Sequence, residues 1–176
     1  MKNSGNTVLI TGGGSGIGLA LAKKFLENNN TVVISGRNLS KLEKVQAAHP
    51  GIHIAQSDVT DVPSIKTLTK RIQEEFGGLD VLVNNAGVMH AFDIKDERYP
   101  FEKQEEEINI DFTGPLRMVH YFLPQLSQKS AAAIVNVSSG LAFVPFSMAP
   151  VYSATKAGLH AWTQSLRKQL ETTNIT

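Results

Sequence analysis

Thr7-Val8-Leu9-Ile10-Thr11-Gly12-Gly13-Gly14-Ser15-Gly16-Ile17-Gly18 is the stretch that decides the fold. Its first five residues are β-prone and uncharged, which reads as a strand buried on both faces. Apolar residues then recur at helical spacing through Phe25 and Leu26 to about Asn28, so the order is strand, glycine turn, helix. Glycine permits positive φ and lets backbone N–H groups come close to a phosphate, and a helix N-terminus adds partial positive charge. A glycine-rich turn alone is often only a tight loop. Between a buried strand and a helix it reads as a phosphate-binding turn, with Gly12, Ser15, Gly16, Ile17 and Gly18 as the contacts.

Val32-Val33-Ile34-Ser35 supplies a second strand, completing a βαβ unit, and ends in Gly36-Arg37-Asn38. Dinucleotide folds that take NAD carry an acid about 20 residues past the glycines to bind ribose hydroxyls, whereas an arginine accommodates the 2′-phosphate of NADP. The acid is absent here. Arg37 offers a planar, permanently charged fork, so the expected cofactor is NADP (NADPH) rather than NAD, with a simply solvated Arg37 as the alternative. Leu39 to Ala48 reads as a helix, and Ile52 to Gln56 as a third strand followed by Asp58-Val59. Asp58 is placed either to accept from an adenine amino group or to cap the helix expected over Pro63 to Phe76. Leu79 to Val83 is a fourth strand ending in Asn84-Asn85-Ala86-Gly87. Small and amide residues there allow close backbone approach, which adds Asn85, Ala86 and Gly87, with Val59, to the cofactor contacts.

Reactive side chains gather near Ile134 to Lys156. If Ile134 to Val137 is a strand and Tyr152 opens a helix, Tyr152 and Lys156 share one helical face. An ammonium beside a phenol favours the phenolate and makes it a usable acid or base near neutral pH. Ser139, leaving the strand, is placed to hold a substrate oxygen. Tyr-x-x-x-Lys alone would be an ordinary surface helix start; the upstream signals raise it. Asn109 lies early in a helix expected from 106 to 126, bent at Pro115, and either faces solvent or holds a water behind Lys156. The charges of 88–107 read as loop and solvated helix start. Leu141, Phe143, Phe146 and Met148 suggest an apolar substrate group or a loop packed on its own core. The last helix, expected from Tyr152 to Glu171, carries a small-residue stripe (Ala154, Ala157, Gly158, Ala161, Ser165) and a bulky one (Leu159, Trp162, Leu166, Leu170). Two apolar faces imply two burial partners, a sheet and either a second subunit or a neighbouring helix.

With 176 residues and no linker-like break, the chain is expected to form one domain over 1–176. A net charge of +1 with 41% hydrophobic and 19% charged residues gives no argument for nucleic acid or membrane partners. The absence of cysteine excludes disulfides and thiolate ligands, and the five histidines show no paired metal spacing, so no metal site is expected. The N-terminus lacks a signal-peptide apolar region, which makes a cytoplasmic location the expectation.

Thr11-Gly12-x-x-x-Gly16-Ile17-Gly18, Asn84-Asn85-Ala86-Gly87, Asn109, Ser139 and Tyr152-x-x-x-Lys156, in that order, resemble the short-chain dehydrogenase/reductase family. Val88-Met-His-Ala-Phe-Asp93 and Gly114-Pro-Leu-Arg-Met-Val-His-Tyr-Phe-Leu-Pro124 are similar to its bacterial DltE-like branch. The resemblance implies an α/β fold, a Rossmann-type doubly wound parallel sheet. It also implies hydride transfer between a nicotinamide and a carbonyl or hydroxyl carbon of a small molecule. Tyr152 would be the acid/base, Lys156 would lower its pKa and hold the cofactor ribose, Ser139 would polarise the carbonyl, and Asn109 would support a relay water. A homodimer or homotetramer through the helices around 106–126 and 152–171 is expected. Members of the family run longer, with two further strands, so the carboxyl-terminal part is expected to be missing after the fifth strand and its helix. That would leave Ile134 to Val137 as an exposed edge. A fragment that binds cofactor or pairs subunits without turnover is the competing reading, and an epimerase or dehydratase on the same fold is a third.

Overall fold

The computed structural model describes residues 3–176, so Met1 and Lys2 of the expected 1–176 domain lie outside the described residues. Five strands form one parallel sheet in the order β3-β2-β1-β4-β5: β1 (Thr7–Thr11), β2 (Thr31–Gly36), β3 (Ile52–Gln56), β4 (Val81–Asn84) and β5 (Ala133–Asn136). Every residue of β1 is buried, because it is flanked by β2 and β4 and covered on both faces. Alternation along the strands divides the core. Val8, Ile10, Val32, Ile34, Val81 and Val83 pack with Ala22 of α1 (Gly16–Glu27) and with Leu42 and Val45 of α2 (Leu39–Ala48). Leu9, Val33 and Leu82 pack on the other face with Ile65, Leu68 and Ile72 of α3 (Val62–Phe76) and Met118 and Phe122 of α5 (Gly114–Ser127).

Local sequence sets the helix ends. Asn38 accepts from Lys41 N at 2.9 Å to start α2, and Asp61 accepts from Ser64 N at 3.0 Å to start α3. Asp61 therefore does the capping that the sequence left open to Asp58. Gly77 ends α3 in the left-handed conformation at φ 70°.

Three expectations shift. The helix expected from 106 to 126 is a longer run: α4 (Phe101–Ile108), a π-helical turn over Asn109–Thr113, and α5. The irregularity lies at the π turn, whereas Pro115 sits in the first turn of α5, where its missing N–H costs nothing. The last helix, α6 (Pro150–Gln169), starts two residues earlier than expected, with Pro150 at its first position. The expected bare edge of β5 is partly paired: Ala132 N donates to Asn174 O at 2.9 Å and Ile134 N to Thr176 O at 3.0 Å, in a parallel bridge centred on Ile175. No helix is long and apolar enough to cross a membrane among the described residues.

Candidate active site

β1 lies between β2 and β4, so the chain leaves the carboxyl ends of neighbouring strands in opposite directions and a crevice opens there. The turn after β1 meets the end of β4 in that crevice. Thr11 Oγ1 accepts from both Asn85 N and Ala86 N at 3.0 Å, and Asn85 Nδ2 donates to Thr11 O at 2.9 Å. Gly12 has φ +67°, and a Cβ there would lie 2.8 Å from Ala86 Cα. Only glycine fits that position.

A cavity of about 570 Å³ follows, lined by Gly12, Ser15, Gly16 and Ile17 from the turn, Arg37 and Lys41 beyond β2, Asp58 and Val59 beyond β3, and Asn85, Ala86 and Gly87 beyond β4. Gly18 is buried in the first turn of α1. Asp58 Oδ1 accepts from Thr60 N and Thr60 Oγ1, both at 2.8 Å, which braces the loop over the cavity. Lys41 is a cavity residue the sequence reading missed: its Nζ donates to Ser15 Oγ at 2.8 Å, bringing a second cation to the glycine turn. Its place, four residues after Arg37 at the start of a helix, was the available signal. Exposed backbone N–H groups, two cations and a hydroxyl form a donor set suited to a dinucleotide with several phosphates.

Past Gly87 the polar groups change character. Lys156, 4% exposed, lies on α6 with its Nζ donating to Val137 O at 3.2 Å and 5.4 Å from the Tyr152 ring centroid. Its carboxylate partner is Asp111, fully buried, with Oδ2 at 3.4 Å from Nζ and Oδ1 accepting from Val88 N at 2.8 Å. Asn109, assigned to this place from sequence, begins the π turn and is half-buried. The side chain that the structure brings to Lys156 is that of Asp111. The missed signal was Asp111 itself, two residues on. A Cβ on Gly87 would come within 3.2 Å of Asp111 Oδ2 and 3.5 Å of Lys156 Nζ, so the β4 loop seals the pair.

Burial pushes the Asp111 carboxyl above the usual range, with Lys156 pulling the other way. Glu107, one turn earlier and 0% exposed, is also pushed up by burial; the His90 N–H, donating to its Oε1 at 3.0 Å, opposes this and the charge of Asp111 adds to it. Glu107 thus corrects the reading of 88–107 as merely solvated. Ser139 Oγ accepts from Leu141 N at 3.1 Å and caps a short 3₁₀ turn, Gly140–Ala142. Its O–H remains able to donate. Asn84 Nδ2 donates to Asn136 Oδ1 and Asn136 Nδ2 to Thr163 Oγ1, both at 2.9 Å, tying β4 and β5 to α6.

Residues 6–176 match the family model for short chain dehydrogenase. The chain is a short-chain dehydrogenase/reductase. It falls in the DltE-like branch: an uncharacterized oxidoreductase, DltE, of Bacillus subtilis (strain 168) is 43% identical over 175 residues, covering 99% of this chain and 69% of that protein. An uncharacterized oxidoreductase of Staphylococcus aureus (strain MW2) is 36% identical over 169 residues, covering 95% of this chain and 72% of the relative. Among solved structures, a short-chain dehydrogenase from Streptomyces avermitilis superposes with a TM-score of 0.90 at 28% identity, covering 98% of this chain and 63% of that one. This short-chain dehydrogenase/reductase chain therefore spans between about three fifths and three quarters of these relatives.

Proposed function

We propose that this oxidoreductase binds NADP(H) in preference to NAD(H) and, in its complete form, interconverts a carbonyl and a hydroxyl on a small, partly apolar molecule. The observation that carries the cofactor reading is the pair of cations beyond β2: Arg37 and Lys41 line the cavity where residues 35–38 carry no carboxylate. Gly12, Ser15, Gly16, Ile17 and Gly18 would hold the diphosphate, Asp58 and Val59 the adenine, and Asn85, Ala86 and Gly87 the backbone-facing side. The nicotinamide supplies the hydride chemistry when bound.

The chain's own groups do the rest. Tyr152 Oη exchanges a proton with the substrate oxygen, and Ser139, whose O–H is free to donate, binds the same oxygen. Both hydrogen bonds strengthen as that oxygen gains negative charge, which lowers the barrier. Lys156 places its ammonium beside the Tyr152 ring and, with donors taken by Val137 O and Asp111, retains one N–H for the cofactor ribose. Phe143, Phe146 and Met148, exposed beyond Ser139, suit an apolar substrate group. The bulky stripe (Trp162, Leu166 and, just past α6, Leu170) packs against the core; of the small-residue stripe Gly158 lies against Phe112, which leaves the exposed Ala154, Ala161 and Ser165 for a second copy of the chain.

The test is titration with NADPH and NADH, followed by a panel of small carbonyl compounds. Arg37→Ala is expected to reduce the NADPH-to-NADH affinity ratio about tenfold, the lower end for a hydrogen bond to a charged group. An unchanged ratio would refute the 2′-phosphate assignment. NADPH-dependent reduction that disappears in Tyr152→Phe supports the enzyme reading. Cofactor binding without any turnover favours a binding or subunit-pairing role for these 176 residues.

A further inference from the structure

Arg37 does not stand alone at the cavity. Glu106, on the last turn of α4, reaches it with Oε1 3.3 Å from Nη1, while Glu106 Oε2 lies 2.8 Å from Lys103 Nζ and 3.9 Å from His90 Nε2. The Arg37 and Glu106 side chains are 54% and 28% exposed, and a wet ion pair of this kind is weak and readily exchanged. Lys103 holds the Glu106 carboxyl below the usual range, with Arg37 assisting, so Glu106 is ionised at neutral pH. A carboxylate seated on the guanidinium repels a phosphate arriving at the same fork. Its second partner, Lys103, gives it somewhere to remain when Arg37 is taken.

We propose that Glu106 is a resident competitor for Arg37 that sets how strongly the site prefers NADPH over NADH, ceding the guanidinium to the 2′-phosphate while its other oxygen stays on Lys103. This rests on the NADP reading above. Two opposite consequences follow from the geometry. Removing the carboxylate frees Arg37, whereas removing Lys103 leaves Glu106 with Arg37 as its main partner and tightens the competing pair.

The experiment is fluorescence titration of the 176-residue chain with NADPH and NADH at low ionic strength, where exposed pairs are least screened. Glu106→Gln should tighten NADPH binding about threefold and leave NADH unchanged, the size expected of an exposed pair. Lys103→Gln should weaken NADPH binding by about two- to threefold, and in the Glu106→Gln background it should have no effect, because the exchange partner is gone. Additive effects in the double variant would mean simple through-space charge and overturn the proposal. So would unchanged or weaker NADPH binding in Glu106→Gln. Arg37→Ala separates the two levels. If it leaves the NADPH-to-NADH ratio unchanged, the 2′-phosphate assignment fails and this inference falls with it. If it lowers the ratio while Glu106→Gln does not raise it, only the competitor role fails.

Discussion

Asp111→Ala is the perturbation that bears most on the site. It removes the carboxylate 3.4 Å from the Lys156 ammonium, both side chains being no more than 5% exposed. Breaking a buried pair by deleting one partner costs about 3–5 kcal/mol, because the remaining charge is uncompensated. Orphaning the Val88 N–H, which Asp111 Oδ1 now accepts at 2.8 Å, adds about 1–3 kcal/mol. Asp111→Asn keeps an acceptor for Val88 and should show the smaller loss. Urea denaturation of wild type and both variants at pH 7 measures this. A loss below about 1 kcal/mol in Asp111→Ala would refute the premise that Asp111 is what compensates Lys156.

Glu107→Gln should flatten the pH dependence of stability. A carboxyl whose folded pKa is raised contributes stability that is complete below its ordinary value of 4.5 and lost as pH rises through the folded value, so wild type should weaken across that window and the variant less so. A difference between the two that stays constant from pH 4 to 7 would contradict it. Gly12→Ala forces positive φ on a residue with a Cβ, costing about 1–2 kcal/mol, and drives that Cβ to 2.8 Å from Ala86 Cα. Its denaturation midpoint should fall and dinucleotide binding should be lost; wild-type affinity in a folded variant would show that the turn does not pack as described.

The strands, the glycine turn and the tyrosine–lysine pair were legible because each is local. An all-buried β1 and a four-residue spacing on one helix need only a few neighbouring residues to be read. Asn109 shows where such reading stops. An amide near the start of an apolar-faced helix looks better suited to a site than an aspartate two positions on, and only the fold shows that the aspartate reaches Lys156. Glu107 looks like its neighbours Glu105 and Glu106, yet it alone of the three is buried, with Oε1 accepting from His90 N. Lys41 reads as one more surface lysine until the turn after β1 brings Ser15 beneath it.

By itself, then, the sequence determined the order of strands and helices, the glycine turn and the family, since hydrophobic period, glycine spacing and short motifs are properties of contiguous residues. The tertiary structure decided which charges are buried and what they face. Asp111 against Lys156, Glu107 beneath His90 and Glu106 on Arg37 are contacts between segments distant in the chain. Their energies depend on distance and on exclusion of water, and neither is written in residue order.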